Sequence, residues 1–249
     1  MSDFGEFSKP SGEQSELNLS YEQLDKMASD VKTLTMLREF AHERGYTFAL
    51  TGGYAVDALV GGKISRFHGD MDGIIIAPPD ASYSALKEGI EEKLLVEETP
   101  WESVKEDNEA SLEFREAAPN IEWEMKRRLE LDIYPPRIKT VTRALKDVDN
   151  YSHDFEVLTV EGLLAAKVLS SVRLNAMTEE ERIKEGLREE KTSDKQDFQR
   201  LLHSSEFDEQ TTLNALVDAI RYISDEEISL EDAKEEAKQQ WAKALEIYI

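Results

Sequence analysis

The 249-residue sequence contains no cysteine, which excludes disulfide bridges and thiolate metal sites. It also lacks long hydrophobic runs: residues 74–77 form one of the longest, far short of the roughly 20 residues that a membrane-spanning helix needs. The N-terminus has neither a basic region nor an apolar stretch, so we expect no signal peptide. Together these absences favour a cytoplasmic protein without a membrane partner.

Basic residues are scarce relative to acidic ones. The chain has 30 Lys and Arg against 53 Asp and Glu, a net charge of −23. A surface this acidic repels polyanions and gains nothing from counterion release, so nucleic acid is a disfavoured partner. Two interpretations of the acidity stay open: solubility in a salty or crowded cytosol, which is the more general one, and attraction of a cationic small molecule.

Hydropathy patterns divide the chain into three parts. Residues 1–19 are polar and aperiodic, which predicts a flexible tail. Residues 20–155 mix helical and strand patterns, whereas residues 156–249 show helical patterns alone. We therefore expect an α+β domain with a mixed sheet and helices, followed by a helical C-terminal domain.

The pattern within each part predicts individual elements. A first helix is expected from the N-cap Ser20 to the C′ residue Gly45. The other predicted helices cover residues 55–60, 82–95, 160–173, 178–188, 194–203, 210–222 and 229–248. The predicted strands cover residues 46–50, 70–77, 110–117 and 121–134, the last two antiparallel.

Two aspartates open the apolar strand at residue 70. Asp70 and Asp72 are two residues apart and therefore project to one face. Divalent cations such as Mg²⁺ prefer carboxylate oxygens, and two ions about 3.5–4 Å apart can activate an attacking oxygen and neutralise a leaving one. Gly52 and Gly53 stand at the preceding strand-to-helix turn, where the missing Cβ lets backbone N–H groups approach phosphates. This combination suits transfer of a nucleotide from a triphosphate.

A third carboxylate is expected from the strand that ends near residue 134. An acid within an apolar strand is costly unless it has a function. Asp132 is our choice, and Glu130, two residues earlier on the same face, is the alternate.

The longer stretch around these residues resembles the DNA polymerase β-like nucleotidyltransferase superfamily. Within it, the stretch is similar to the aminoglycoside 2″- and lincosamide nucleotidyltransferase branch. The resemblance lies in Gly52, Gly53, Tyr54, Ala55, Val56, Asp57, Ala58, Arg66, His68, Asp70 and Asp72. Gly73 departs from the family pattern, which usually has an aliphatic residue there, and is expected to weaken the strand slightly.

The resemblance implies a site for two Mg²⁺ ions at Asp70 and Asp72, completed by Asp132, which would also be the catalytic base. ATP or another nucleoside triphosphate would be the co-substrate. Lys167 resembles the family lysine that faces the triphosphate, and Lys195 lies in a segment similar to a later Lys/Asp-rich helix start.

Three further residues of the resembling stretch have different expected roles. Arg66 and His68 would help to bind the nucleotide, either by touching it or by orienting the loop and the carboxylates. Asp57 could be an acid on the face of the short helix or could bind an amine of the acceptor, and we favour the structural role.

The expected activity is transfer of a nucleoside monophosphate, AMP, from a triphosphate to a hydroxyl of a small acceptor. An aminoglycoside- or lincosamide-like antibiotic is the implied acceptor class. One alternative is a toxin-type nucleotidyltransferase that modifies tRNA or protein. Another is an inactive member of the family serving as an antitoxin or binding module. The presence of Asp70, Asp72, Asp132 and Lys167 favours catalysis.

Overall fold

A computed structural model describes residues 19–103, 111–117, 127–134, 138–184, 192–224 and 227–249. The predicted tail up to residue 18, the start of the strand predicted at 121–134 and the end of the helix predicted at 178–188 lie outside these residues. In the part of the chain that is described, every helix is too short or too polar to cross a membrane.

The sheet of the described residues is seven-stranded and mixed. Its strands are β1 (Thr47–Leu50), β2 (Asp70–Ile76), β3 (Trp101–Ser103), β4 (Ser111–Glu116), β5 (Arg128–Tyr134), β6 (Thr140–Lys146) and β7 (Ser152–Leu158). They lie in the order β3-β4-β5-β2-β1-β7-β6. β2 pairs antiparallel with β1 and parallel with β5, so the strand that begins with the paired aspartates is central. The expected α+β class with a mixed sheet is confirmed.

Eight helices accompany the sheet in the described ranges. They are α1 (Tyr21–Glu43), α2 (Gly52–Val60), α3 (Tyr83–Val96), α4 (Val160–Ala176), α5 (Glu179–Lys184), α6 (Thr192–Leu202), α7 (Glu209–Ile223) and α8 (Leu230–Tyr248). The ends of α1 follow the sequence signals. Ser20 and Gln23 form a capping box, and Gly45 adopts φ +72° just beyond the helix.

Two features of the structure differ from the sequence predictions. The short helix α2 begins at Gly52 rather than at residue 55, so the two glycines form its first turn. Strands β3, β6 and β7 were not predicted. β3 has only three residues, and most of β6 and half of β7 are only partly buried, so neither has a clear hydrophobic run.

The helices pack around the sheet in two groups. α1 contacts β1 and α3, whereas α2 contacts β2, β6, α4 and α6. α4 also packs against α7 and α8, so the C-terminal helices join the same hydrophobic core as the sheet. The position of α2 matters most for the site, because this helix touches both the central strand and the later helix α6. The division into domains at residue 156 stays a prediction.

Gly73 has a packing role that the sequence did not reveal. A Cβ at this position would lie 2.6 Å from the ring of Phe48 and 3.2 Å from a methyl group of Leu131. The glycine therefore makes room for the core side chains of the two neighbouring strands. The slight weakening of β2 expected from Gly73 stays a prediction.

Candidate active site

The candidate site begins where β2 and β5 run side by side. Asp70 and Asp72 are half-buried, while the residues that alternate with them are buried. The parallel register places Asp72 opposite Glu130 and Ile74 opposite Asp132. Because residues two apart share a face, all four carboxylates lie on one side of the sheet. Of the two β5 residues considered for the third carboxylate, Glu130 is beside Asp72, and Asp132 lies two residues further along the strand.

The pKa values of two of these groups are raised. Burial, reinforced by Glu130 and Asp70, raises the pKa of Asp72 to about 6 despite the opposing charges of Arg128 and Lys167. Burial, followed by the charges of Glu130 and Asp72, raises the pKa of Asp132 to about 7. Burial, together with the neighbouring carboxylates, therefore disfavours the ionised form of both groups, and the cluster favours the binding of protons or cations.

Arg128, at the start of β5, is the cation embedded in this cluster. Its backbone N–H donates to Asp70 Oδ1 at 3.3 Å, and its Nη1 lies 3.3 Å from Glu130 Oε2. The sequence pattern assigned no role to this arginine. The β2–β5 register, which sets it opposite Asp70, could not be deduced from local pattern.

The donor set suits a hard divalent cation, although it is not a ready-made cage. Among the described residues, no three His, Asp or Glu side chains are grouped closely enough to hold a metal. What fits is the chemistry: carboxylates on adjacent strands, two of them with raised pKa values that a cation would lower again.

Gly52 brings the backbone of α2 against Asp72. Its φ is +59°, and a Cβ there would lie 2.2 Å from Asp72 Oδ2. The N–H of Thr51 donates to the Asp72 carbonyl at 3.1 Å, and the Thr51 side chain makes no capping bond. The first turn of α2 thus presents backbone N–H groups beside the carboxylates, an arrangement that attracts anions such as phosphates.

Gly53 allows the side chains of His68 and Arg66 to lie close to the backbone of α2. A Cβ there would lie 2.3 Å from His68 Nδ1 and 3.0 Å from Arg66 Nη2. Both glycines of the motif are therefore required by contacts with residues of the same motif.

His68 and Asp57 form a buried pair beneath this turn. His68 is 2% exposed and Asp57 is fully buried. His68 Nε2 lies 2.8 Å from Asp57 Oδ2, and Ser65 donates to Asp57 through its N–H at 2.9 Å and its hydroxyl at 2.5 Å. Burial acts to raise the pKa of Asp57, but the bonds from His68 and Ser65 hold it below the usual value. Asp57 is thus ionised, so the imidazole donates from Nε2.

Arg200 of α6 completes this pair from a distant part of the chain. Its Nη1 donates to Asp57 Oδ1 at 2.7 Å and to Ser65 Oγ at 3.0 Å. The structural role expected for Asp57 follows from these contacts. The contacts of His68 match the orienting interpretation, because its ring is buried against Tyr54, with centroids 4.2 Å apart, and bonded to Asp57.

Arg66 and Lys167 meet at α6. Arg66 Nη2 donates to Asp197 Oδ2 at 2.8 Å, and Lys167 Nζ lies 3.6 Å from the same oxygen and 3.5 Å from Asp194 Oδ1. The charge of Lys167 also acts to lower the pKa of Asp72. Lys195, by contrast, is exposed on α6 and is not brought into this group.

A second buried hydrogen-bond network contacts the backbone of His68. Asp30 of α1 accepts hydrogen bonds from Tyr54 Oη at 2.7 Å and from Arg127, and Arg127 also donates to the His68 carbonyl at 3.2 Å. Burial raises the pKa of Asp30, although Arg127 and Tyr54 oppose the rise. Sequence analysis missed this network. The signal was an aspartate at helical spacing among the buried residues of α1.

Comparison with known proteins identifies the fold of the chain. No protein-family model matches the sequence. No curated protein matches it either. The solved structure of the antibiotic-resistance factor ANT(2'')-Ia is similar over 80% of this chain and 96% of its own, with a TM-score of 0.50 and 13% identity.

Two other solved structures are similar at lower scores. A nucleotidyltransferase-like protein from Paracoccidioides brasiliensis covers 87% of this chain and 94% of its own, with TM-score 0.42 and 16% identity. JHP933 from Helicobacter pylori covers 92% and 94%, with TM-score 0.44 and 15% identity. The chain has the nucleotidyltransferase fold, as the resemblance in residues 51–72 implied.

Proposed function

We propose that the protein is a Mg²⁺-dependent nucleotidyltransferase that moves AMP from ATP to a hydroxyl of a small acceptor. The supporting observation is the β2–β5 register, which sets Asp72 opposite Glu130, on the face of the sheet that Asp70 and Asp132 share, beside the first turn of α2. A triphosphate and divalent cations need this combination of backbone N–H groups and carboxylates.

The phosphates would lie against the first turn of α2. Gly52 and Gly53 leave the N–H groups of this turn accessible, and the helix dipole favours an anion there. Arg66 and Lys167 would supply positive charge to the same anion. Lys195, exposed on α6, has no comparable place in the site.

Asp70 and Asp72 would hold Mg²⁺, with Glu130 or Asp132 supplying the β5 ligand. When bound, the ion neutralises charge on the phosphates and on the leaving pyrophosphate. The burial of Asp72 and Asp132 beside Glu130, which raises the pKa of both, supports this assignment.

Asp132 would accept the proton of the acceptor hydroxyl. Its pKa of about 7 suits a general base that works near neutral pH. The acceptor oxygen forms a bond to the α-phosphorus while the bond from that phosphorus to the pyrophosphate oxygen breaks. The proton goes to the Asp132 carboxylate, and pyrophosphate leaves.

The acceptor we propose is a cationic, aminoglycoside- or lincosamide-like molecule. The net charge of −23 favours a cation, and the solved structure with a TM-score of 0.50 is an antibiotic-resistance factor. The same charge disfavours tRNA as an acceptor.

Calorimetric titration with α,β-methylene-ATP, with and without Mg²⁺, tests the nucleotide site. Wild type should bind in a Mg²⁺-dependent manner, and the Asp70→Asn/Asp72→Asn variant should lose this binding. Asp80→Asn is the matched control, because Asp80 is an exposed carboxylate just beyond β2. Hydroxylated antibiotics would then be screened for pyrophosphate release.

The outcomes separate the proposed enzyme from its alternatives. Binding that survives in the double variant would remove the two aspartates from the metal site. Failure of wild type to bind any of the four triphosphates would overturn the enzyme proposal and favour a binding module of the same fold.

A further inference from the structure

Asp197 of α6 is a buried carboxylate that faces several cations. The residue is 1% exposed. Its Oδ2 accepts a hydrogen bond from Arg66 at 2.8 Å and lies 3.6 Å from Lys167 Nζ, while its Oδ1 lies 3.8 Å from Arg200 Nη1. Arg200 has a shorter contact with Asp57, at 2.7 Å. Arg66 is therefore the cation that depends chiefly on Asp197, while Lys167 is shared between Asp197 and Asp194, at 3.6 and 3.5 Å.

These two cations flank the proposed phosphate site. A Cβ on Gly53 would lie 3.0 Å from Arg66 Nη2, so the guanidinium lies against the first turn of α2. Lys167 Nζ lies 3.6 Å from the same Asp197 oxygen that accepts the bond from Arg66, so the two cations are neighbours. Asp197 thus joins cations from the loop before β2 and from α4 at one place.

Arg66, Lys167 and Asp197 have hydrogen-bonding groups that their contacts with one another do not use. Arg66 Nε and Asp197 Oδ1 are buried and have no hydrogen-bond partner among the described residues. The contacts of Lys167 with Asp194 and Asp197, at 3.5 and 3.6 Å, are longer than the 2.7–2.9 Å or so typical of charge-assisted hydrogen bonds. The amino group of Lys167 is therefore held by charge while it can still donate to another anion.

We propose that Asp197 is a positioning residue that holds Arg66 and Lys167 beside the first turn of α2, where they receive the β- and γ-phosphates of the nucleotide. This inference rests on the proposed function. It assigns a task to a carboxylate that repels phosphate by itself: Asp197 fixes the two cations that attract the anion.

A purely structural role for Asp197 predicts a different result. An ion pair that only stabilises the packing of α6 would, when removed, weaken all nucleotides equally or lower stability alone. A positioning role makes the loss depend on the number of phosphates. The comparison of α,β-methylene-ATP with AMP, both with Mg²⁺, therefore distinguishes the two roles.

The test is calorimetric titration of both ligands into wild type, Asp197→Asn and Asp197→Glu. Asp197→Asn should weaken α,β-methylene-ATP by about 10- to 100-fold, the range for a lost charge-assisted hydrogen bond, and AMP by less than about threefold. Asp197→Glu keeps the charge and should restore part of the triphosphate affinity. Glu206→Gln is the matched control, because it removes an exposed carboxylate that accepts two 2.7 Å bonds from Arg143.

A Lys167→Met background shows whether Asp197 acts through Lys167. There, Asp197→Asn should have a clearly smaller effect on α,β-methylene-ATP than in wild type, because coupled residues are not additive. If Asp197→Asn folds poorly, Lys167→Met alone provides the test. It should weaken the binding of α,β-methylene-ATP more than that of AMP, and an equal loss for AMP would overturn the inference.

Each outcome has a distinct meaning. Equal losses for AMP and α,β-methylene-ATP, or no loss at all, would overturn the positioning role and leave the proposed function in place. No nucleotide binding by wild type would overturn both. Selective loss of the triphosphate with normal AMP binding would support both.

Discussion

Replacing Gly52 with alanine would place a methyl carbon 2.2 Å from Asp72 Oδ2 and 2.9 Å from its Cγ. Ordinary contacts between such atoms are about 3.5 Å or more, so the carboxylate would have to move. Gly52 also has φ +59°, a left-handed conformation that costs a residue with a side chain about 1–2 kcal/mol. The substitution therefore perturbs both the backbone and one proposed metal ligand.

The two effects have different magnitudes and different readouts. To reach an ordinary contact, the Asp72 carboxylate must retreat by more than 1 Å. A misplacement of about 1 Å in a catalytic arrangement can lower the rate about 100-fold. We expect Gly52→Ala to lower the free energy of unfolding by about 1–2 kcal/mol from the backbone alone. We also expect it to abolish most Mg²⁺-dependent nucleotide binding.

Gly45→Ala isolates the backbone effect. Gly45 has φ +72°, but a Cβ there would have no atom within 4 Å. This variant should therefore lose a similar amount of stability without disturbing the site. Urea unfolding would measure the first effect, and titration with α,β-methylene-ATP and Mg²⁺ would measure the second.

The refuting result is specific. If Gly52→Ala and Gly45→Ala bind the nucleotide within about twofold of each other at equal stability, the contact between Gly52 and Asp72 has no part in the site. The assignment of Asp72 as a ligand would then need to be abandoned.

Four further predictions concern pH, a buried ion pair and packing. The pKa values of Asp72 and Asp132 are about 6 and 7, so both carboxylates become protonated as the pH falls below 7. The affinity for Mg²⁺, measured by titration at pH 5.5–7.5, should therefore decrease as the pH is lowered. The same raised values make the metal-free protein lose stability as the pH rises from about 4 to 7, because the folded state holds more protons there; urea unfolding at several pH values checks this. Asp57→Asn should cost about 3 kcal/mol in urea unfolding, since it leaves Arg200 without its buried charge partner; an unchanged midpoint would contradict the pairing. Gly73→Ala should cost about 1–3 kcal/mol through overpacking, and normal stability would show that the sheet yields easily.

The local parts of the fold could be predicted from sequence because their causes are local. The capping box of Ser20 and Gln23 and the left-handed Gly45 are short-range signals, and both mark the ends of α1 correctly. The pair Asp70 and Asp72 at the start of an apolar strand is also a short-range pattern, and the structure places it at the start of central strand β2.

The contacts that join distant segments could not be predicted in this way. Arg200 bonds to Asp57 across 143 residues, and Arg66 bonds to Asp197 across 131. Helical periodicity places Asp197 and Arg200 on one side of α6, but it carries no information on what that side meets. The choice between Glu130 and Asp132 likewise depends on the register of two strands that are far apart in sequence.

The pairing of β2 with β5 also has a consequence for how the chain folds. The pair Asp70 and Asp72 is far in sequence from the pair Glu130 and Asp132, and the two pairs meet only when these strands pair. Pairing of β2 with β5 therefore has to overcome repulsion between these carboxylates as well as the entropy cost of closing a long loop. Folding should be slowest at the step that creates the carboxylate cluster, and divalent cations or mild acid should accelerate it. The carboxylate cluster proposed to bind the metal would thus also slow folding, and a bound metal ion would reduce this effect.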